Sequence, residues 1–533
     1  MTLSPRTYAV ASVPRGRRVL RSLERRFGAR RRREPAGGCS WLDTFDWRVH
    51  RLGGMLQVVR DEDRWVVEWR RLDGSLLHRR PAPRPPDFAK DFPGAGFRKK
   101  IGAVIGLRRL FTRVTTRISI ESLLLPDPVE PRTGSPVVIS FITGRARVAD
   151  GSAWRPLPQR LRLTGGGGLT STAHVVRFIE TDMALTPDAR TDLECALAAV
   201  GCTPRDYHRR PALSLPPGMR SDVAVKGILR ALLDVIRMNE AGAAAALDPE
   251  FLHDLRVAVR RTRTCLADLG HLFPEPAIRR FREDMQWLGS VTGPARDLEV
   301  HLTALDLPGP GSSGARRGAL GPIIALMRHR RRGEQKRVAM ALRSRRYATL
   351  VRDLERFLAK PVPRRTSRVN AVRPILDTAS ERILGRVRRV VRKGRRIGDT
   401  SPESSLHRLR VEGKKLRYLL EFFGSLYDDR LIGPMINDLR KLQDNLGELN
   451  DLRMRADALR SFAGELSGRE DVDVQCLRSI DDLLGRISRR MTKVRGGFAR
   501  RWSKFSARNA VGRFMGLLEG RTTRRAPAGG DAP

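Results

Sequence analysis

The sequence is poor in cysteine and in aromatic residues. Its five cysteines are an odd number, are spread over 533 residues and include no Cys-x-x-Cys pair. That pattern argues against a disulfide framework and against a zinc site, and it is typical of a reducing compartment. Aromatic residues make up 6% of the chain, and few of them stand among the basic residues. Platforms on which single-stranded bases could stack are therefore scarce.

Long apolar stretches are also missing. No stretch approaches the ~18 uninterrupted apolar residues of a membrane-spanning helix. Residues 1–18 lack the apolar segment of a secretory signal peptide. We therefore expect a soluble, cytoplasmic protein that does not associate with a membrane.

Acidic residues are far outnumbered by basic ones. The chain has 103 lysines and arginines against 58 aspartates and glutamates, which gives a formal net charge of +45. An excess of this size predicts an acidic partner. Because 40% of the residues are hydrophobic, the chain can also build packed cores, and its length predicts about two to four domains.

One pattern of basic residues occurs twice, and the two copies lie 154 residues apart (407 − 253). Each copy begins with a histidine and has basic residues three, seven, eight and ten positions further on. A glycine follows at position 40 and an aspartate at position 44, so we infer an internal duplication. The first copy consists of His253, Arg256, Arg260, Arg261 and Arg263, with Gly293 and Asp297 downstream; the second consists of His407, Arg410, Lys414, Lys415 and Arg417, with Gly447 and Asp451 downstream.

Both copies have the spacing of a helix. At about 100° per residue, positions 0, 3, 7 and 10 fall on one face, and each row of charges is about 15 Å long. Asp248-Pro249-Glu250 precedes the first copy, and Ser401-Pro402-Glu403 precedes the second. A capping residue, a proline and an early acid are typical of a helix start. The sequence therefore predicts two helices, each with one strongly basic face.

Such a face admits two interpretations. It can be a solvated surface, or it can bind a polyanion. Like charges at helical neighbours repel by a few tenths of a kcal/mol each, and the same strain at the same offsets in both copies favours a polyanion that relieves it. Arginine offers phosphate a planar fork of donors, whereas lysine acts as a point charge.

The histidines and aspartates of the pattern also have two interpretations. Asp297 and Asp451 are either structural, as caps or as ion-pair partners of an arginine, or catalytic carboxylates; the structural role is favoured because neither copy has a second acid at a regular offset. No His-x3-His or carboxylate cluster accompanies His253 and His407. We therefore expect neutral donors to phosphate rather than metal ligands, and protonation would strengthen them.

The composition changes near residue 215. Before it, short apolar or alternating runs between turn-forming residues predict a mainly β domain over 1–212. After it, helical periodicity predicts an all-α domain over 219–517, made of two antiparallel bundles at about 219–360 and 369–517. A tail at 521–533 is predicted to be disordered. The predicted strands are 55–60, 65–69, 113–119, 137–141, 160–163 and 174–179, and the predicted helices are 18–26, 188–200, 220–240, 250–269, 276–291, 295–306, 320–343, 346–359, 369–393, 403–424, 430–446, 449–466, 472–492 and 496–517.

The helical part resembles the CHAD family, the α-helical domain named for its histidines. The resemblance covers roughly 219–517 and rests on the two His-x-x-Arg helices and on two matching downstream motifs. These are Trp287-Leu288-Gly289 with Gly293-Pro294-Ala295-Arg296-Asp297-Leu298, and Leu446-Gly447-Glu448-Leu449-Asn450-Asp451-Leu452. The resemblance implies two four-helix bundles around a basic surface that binds inorganic polyphosphate. It places the binding residues on the ten basic and histidine positions of the duplicated pattern, and it implies an association with polyphosphate granules.

The N-terminal part more weakly resembles the CYTH family, whose antiparallel β-tunnel binds triphosphates. Thr44-Phe45-Asp46, Trp65 to Arg71, a strand around Phe178 and Val200-Gly201-Cys202 fall in the expected order. Catalytic members carry Glu-x-Glu-x-Lys on the first strand. The corresponding stretch here is Ala9-Val10-Ala11-Ser12-Val13, which lacks both acids and the lysine. We therefore expect a degenerate tunnel without hydrolytic activity, no cofactor and no bound metal, because carboxylates are needed to hold the divalent metal.

The main hypothesis is thus a polyphosphate-binding protein that is not an enzyme. A nucleic-acid-binding protein is the alternative that the charge also permits, although no zinc finger, RNP motif or basic zipper is present. A metal-dependent triphosphatase using Glu180 and Asp182 on one strand face is the third hypothesis. Arg113 and Arg117 could contact phosphate in the tunnel or simply lie outside the tunnel.

Two further segments have simpler interpretations. Gly165 to Gly168 lacks the lysine and the helix start of a phosphate loop, so we expect a hairpin there. Arg30 to Arg33 is interpreted as a solvated loop.

Overall fold

The computed structural model describes residues 6–61, 64–125, 137–149, 151–165, 169–209, 213–306, 319–467 and 474–506, together with residues 512 and 516. The chain forms two compact units, Met1–His208 and Arg209–Pro533. The first unit is built on an antiparallel sheet and the second on helices, which confirms the predicted α+β fold class. The predicted disordered tail, 521–533, lies outside the described residues.

The sheet of the first unit is antiparallel throughout. Its strands follow the order β1-β9-β7-β6-β2-β3-β4-β5, and β8 pairs with β7. This arrangement is consistent with the CYTH-like tunnel that the sequence resembles. The strands are β1 (Arg6–Val10), β2 (Arg30–Thr44), β3 (Gly54–Asp61), β4 (Arg64–Arg71), β5 (Leu76–Ala82), β6 (Leu110–Leu125), β7 (Val137–Arg147), β8 (Arg155–Pro156) and β9 (Gln159–Gly165).

Helices cover both faces of this sheet. Successive side chains of a strand point to opposite faces, and on β3 Met55 packs with α5, whereas Leu56 packs with α3. Leu20 and Leu23 of α1 join a further cluster with strand residues of β7 and β9. The helices of this unit are α1 (Val13–Phe27), α2 (Arg48–Arg51), α3 (Ala95–Ile105), α4 (Leu169–Arg177) and α5 (Asp192–Ala199).

Three predictions for the first unit were wrong. The predicted strand 174–179 belongs to α4 and to the π-helical turn Phe178–Asp182 that follows it. Val175 and Ile179, four residues apart, are both buried, so the apolar run follows the helical period instead of the strand period. The strand β9 ends at Gly165, and the next element is the helix α4 from Leu169, not the second strand of a hairpin. The rest of the glycine run, Gly166 to Gly168, lies outside the described residues. Arg30 to Arg33 are the start of β2, where Arg31 lies 2.8 Å from Glu24 and Arg33 lies 3.5 Å from Glu121.

The first strand begins earlier than predicted. It covers Arg6–Val10, and the hydroxyl of Ser12 accepts a hydrogen bond from the backbone N–H of Arg15 at 3.4 Å, which caps α1. The capping residue therefore ends the strand where the sequence analysis continues it to Val13.

The second unit contains two successive sets of helices. In the first set each of the helices α6 to α9 packs on the next, α9 also packs on α6, and α10 packs on α6 and α8. In the second set each of the helices α12 to α15 packs on the next, and α16 packs on α14. The helices are α6 (Ser221–Ala244), α7 (Pro249–Leu269), α8 (Glu275–Asp306), α9 (Gly321–Leu342), α10 (Arg345–Ala359), α11 (Val369–Val372), α12 (Ile375–Gly394), α13 (Glu403–Phe423), α14 (Asp429–Leu466), α15 (Val474–Gly496) and α16 (Phe498–Ser506).

Two pairs of predicted helices are single helices. The predicted 276–291 and 295–306 form α8, and the predicted 430–446 and 449–466 form α14. Pro294 lies inside α8, but its neighbours Gly293 and Ala295 are buried. Burial outweighs the hydrogen bond that a proline removes from a helix interior.

The start signals of the two basic helices differ in the structure. Asp248 caps α7 as predicted, since its carboxylate accepts from the backbone N–H groups of Glu250 at 2.8 Å and Phe251 at 3.2 Å. Ser401 does not cap α13, whose capping position is Pro402. The Ser401 hydroxyl instead accepts from the N–H of Gly398 at 3.0 Å.

None of the described helices is both long enough and apolar enough to span a lipid bilayer.

Candidate functional site

The two basic rows lie on α7 and α13, as predicted. Each helix also has an apolar side that fixes it in the unit: Leu255 and Val259 are buried on α7, and Leu409 and Leu416 are buried on α13. Packing of these residues turns the opposite side of each helix outward. Most of the cationic side chains are consequently half-buried or exposed.

The two rows meet. Burial lowers the pKa of Lys414 on α13, and the nearby charges of Arg260 from α7 and of Arg410 and Arg417 from α13 lower it further, to about 7. Burial also lowers the pKa of Arg410, with Arg260 adding to the effect and Asp451 opposing it. Charges act on a pKa in this way only over short distances. Arg260, Arg410, Lys414 and Arg417 therefore form one shared basic surface, to which both repeats contribute.

Replacing Lys414 by methionine is expected to stabilise the protein at about pH 6 and to have no effect on stability near about pH 10. The pKa of Lys414 is about 7 in the folded protein and 10.5 in the unfolded chain. Between these values the unfolded chain holds more protons, so the stability of the wild type rises with pH, by up to about 1.4 kcal/mol per unit. Urea unfolding of both proteins across this range measures the difference, and a difference that is independent of pH contradicts the prediction.

Arg256 is fixed by the helix that follows it. Its Nη1 donates to the carbonyl oxygen of Gly289 at 2.9 Å and to the hydroxyl of Thr292 at 3.1 Å. A Cβ atom at Gly293 would lie 3.3 Å from this nitrogen. The glycines of the downstream motif therefore let the Arg256 guanidinium lie against the backbone of α8.

The two aspartates of the duplicated pattern act on the arginines. Asp451 Oδ1 lies 3.6 Å from Arg410 Nη2, which is the structural role expected for it. The charge of Asp297 opposes the lowering of the pKa of Arg256 by burial. Both aspartates are exposed, so the contacts to their arginines lie at the rim of the site.

The two histidines have different surroundings. His253 is half-buried, and burial together with the charge of Arg296 lowers its pKa to about 4. This pKa favours the neutral imidazole near pH 7. His407 is exposed, and its Nδ1 lies 3.1 Å from Oδ1 of Asn450.

Besides Arg410, three of the predicted binding residues lie near carboxylates of α13, and one of the three is buried. Arg261 is 3% exposed, donates to the carboxylate of Glu421 and donates to the carbonyl oxygen of Arg209 at 3.1 Å. Lys415 Nζ lies 3.4 Å from Glu412. Arg261 is therefore corrected to a structural contact between the repeats, because a buried and paired guanidinium offers no free fork to a ligand. Of the remaining members, Arg263 is exposed and Arg417 lies 3.6 Å from Glu421.

A buried charged network that the sequence patterns do not predict lies between the repeats. Arg386 of α12 donates to Glu412 of α13 at 2.6 Å and to Asp268 of α7. All three side chains are at most 10% exposed. We call Asp268, Arg386 and Glu412 the inter-repeat network. It ties α7 to α12 and α13 and so holds the two basic rows in place.

The first unit offers no catalytic carboxylate pair of the predicted kind. Glu180 and Asp182 lie in the π-helical turn after α4, not on a strand face. Glu180 accepts from the hydroxyl of Tyr8 at 2.9 Å. Across the part of the chain that the structure describes, no group of three or more His, Cys, Asp or Glu residues could hold a metal ion.

Comparison with known proteins agrees with the duplicated helical pattern. Residues 227–460 match the family model described as the CHAD domain. Two uncharacterised proteins of Mycobacterium tuberculosis, from strains CDC 1551 and H37Rv, are 24% identical to the chain over 298 residues. That match spans 53% of this chain and 56% of each relative, so it covers little more than half of the relatives' length.

Two solved structures are similar to part of the chain. The CHAD domain from the plant Ricinus communis is 24% identical, with a TM-score of 0.48, over 57% of this chain and 97% of that one. PptA from Streptomyces chartreusis is 18% identical, with a TM-score of 0.39, over 54% of this chain and 100% of that one.

Proposed function

We propose, starting from the CHAD domain in the helical unit, that this protein binds inorganic polyphosphate on the shared basic surface. The observation that carries the proposal is the meeting of Arg260 with Arg410, Lys414 and Arg417. The helices α7 and α13, which carry these residues, pack against each other. Burial, and in addition the nearby charges of Arg260, Arg410 and Arg417, lower the pKa of Lys414 to about 7. A polyanion converts that repulsion into attraction, and ammonium and guanidinium groups form strong charge-assisted hydrogen bonds with phosphate oxygens.

The surface fits a chain of phosphates better than it fits a nucleic acid. Tyr418, the aromatic residue among these cations, is 2% exposed and contacts the guanidinium groups of Arg261 and Arg417. Its ring is therefore closed to a stacked base. Arginine forks and a lysine ammonium bind the repeating oxyanions of polyphosphate without reading a base. An association with polyphosphate granules would follow from this affinity.

We further propose that the protein is not a hydrolase. The first strand has the sequence Arg6-Thr7-Tyr8-Ala9-Val10, which contains no carboxylate. One face of the sheet is packed against α5 by the side chains of Trp41, Met55 and Val114. Catalysis of phosphate transfer in such a fold needs carboxylates that hold a metal, and Glu180 is already paired with Tyr8.

Competition between polyphosphate and duplex DNA tests the proposal. At about 150 mM salt, long-chain polyphosphate is expected to displace duplex DNA from the full-length protein. Because each phosphate contacted releases a counterion, the logarithm of the polyphosphate affinity should fall with the logarithm of salt concentration, with a slope of about −3 or steeper for four contacts. Displacement of polyphosphate by DNA, or a slope near zero, overturns the proposal.

A further inference from the structure

Three arginines of the first unit share one face of the sheet. In the antiparallel pair of β6 and β7, Arg117 lies opposite Arg145, and Thr115 lies opposite Arg147. Directly opposite residues point to the same face, and so do residues two apart on one strand. Arg117, Arg145 and Arg147 therefore project from the same side, next to the hydroxyl of Thr115.

An indole ring holds two of these arginines. The guanidinium carbon of Arg117 lies 4.8 Å from the ring centre of Trp154, and that of Arg147 lies 4.7 Å from it. Contact with the ring face restrains a side chain that is otherwise flexible and leaves the N–H groups of the guanidinium edge available as donors. The two forks are thus arranged before any ligand arrives.

Some other arginines of the first unit have close polar partners. Arg160 lies 2.8 Å from Asp192, and Arg113 donates to the carbonyl oxygens of Thr44 and Phe45. Within the described residues, by contrast, Arg117, Arg145 and Arg147 have no carboxylate at ion-pair distance. Like charges directly opposite one another across two strands destabilise a sheet, and an oxyanion between them removes that cost.

We propose that Arg117, Arg145 and Arg147, with Trp154, form a second phosphate-binding patch that takes the oxyanions of a polyphosphate chain. The identity of the ligand rests on the function proposed above, whereas the patch itself rests on the geometry of β6 and β7. Single-stranded nucleic acid fits less well, because a base stacking on Trp154 would compete with the two guanidinium groups that already contact the ring. Bidentate forks directed at phosphate are what the patch presents.

The patch predicts a dependence on chain length. A chain long enough to occupy both the patch and the shared basic surface gains from the high effective concentration of the second site, by as much as about 100-fold. A chain too short to reach both sites would occupy only one of them and would gain nothing.

The experiment uses the full-length double variant R117Q/R147Q, with R21Q/R25Q as the matched control. Arg21 and Arg25 are exposed residues of α1, so both variants lose the same charge. Binding of chains of about 300 phosphates should weaken at least about 10-fold in R117Q/R147Q. Equal affinity of R117Q/R147Q and R21Q/R25Q for the long chain overturns the patch.

A second measurement separates this proposal from the first. Modification of arginines by phenylglyoxal, followed by mass spectrometry, reports directly on Arg117 and Arg147. Both should be protected by long-chain polyphosphate in the wild type and also in a variant that lacks the charges of the shared basic surface. If polyphosphate binds but both arginines react at an unchanged rate, the patch alone fails. If the wild type binds no polyphosphate, the proposed function fails as well.

Discussion

A variant in which Arg260, Arg410 and Lys414 are all replaced by glutamine is expected to bind long-chain polyphosphate about 100- to 1,000-fold more weakly. Each charge-assisted hydrogen bond to phosphate contributes about 1 to 1.5 kcal/mol, and three of them amount to about two to three factors of ten. The slope of the logarithm of affinity against the logarithm of salt concentration should also become shallower, by about 2 to 3. Binding titrations of both proteins at several salt concentrations measure the two effects.

The matched control for this experiment removes three charges elsewhere in the same unit. Arg332, Lys336 and Arg343, on α9 and just after it, are exposed. Their replacement by glutamine changes the net charge equally and should weaken binding only slightly. If the control loses as much affinity as the test variant, total charge rather than the shared basic surface determines binding. Far-ultraviolet circular dichroism shows whether each variant keeps its helices.

Replacement of Arg386 by methionine is expected to lower the free energy of unfolding by about 3 to 5 kcal/mol. Arg386 is the cation between Asp268 and Glu412 in the inter-repeat network, and its side chain is 9% exposed. Without it the buried carboxylate of Asp268 loses its cationic partner, and Glu412 keeps only the partly exposed Lys393 and Lys415, at 3.5 Å and 3.4 Å. Urea unfolding of the full-length protein, followed by circular dichroism of the helices, measures the loss.

A neutral version of the network separates lost charge from lost packing. In the triple variant D268N/R386M/E412Q no buried charge is left without a partner. Because replacing a buried ionic group as a whole is often close to neutral, this variant should regain a substantial part of the stability that R386M loses. A triple variant as unstable as R386M indicates that packing of the Arg386 stem, and not its charge, holds the repeats together.

Much of the helical unit could be predicted from the sequence because its information is local. The 3.6-residue period and the cap at Asp248 place α7 correctly to within one residue at its start. The breaks inside α8 and α14 were wrong because Pro294 and Gly447 are local signals, whereas the helices continue through packing with distant residues. In the first unit the spacing of Val175 and Ile179 fits both the strand period and the helix period, because the apolar run is short. Their burial in the folded unit shows that the segment is helical.

The candidate site could be predicted only in part. Spacing identified the two basic helix faces, since residues at positions 0, 3, 7 and 10 share a face in any helix. That Arg260 approaches Lys414 depends on how α7 packs against α13, and no periodicity within either helix contains this information. The partners of Arg261 and Arg386 were missed for the same reason. Glu412 and Glu421 are the acids that α13 contains beyond its first turn, and their presence in a basic helix was the available signal.

The inter-repeat network also shows how far the two copies have diverged. At the offset of 154 residues, Arg386 and Glu412 of the second copy correspond to Leu232 and Ala258 of the first, and Asp268 of the first corresponds to Phe422 of the second. Leu232 and Ala258 are buried apolar residues. The first copy therefore contributes Asp268 to the network and the second contributes Arg386 and Glu412, and neither copy contains the residues that the other contributes. A homodimer of either repeat, or a tandem of two identical repeats, could not form the inter-repeat network. The network therefore requires one copy of each repeat.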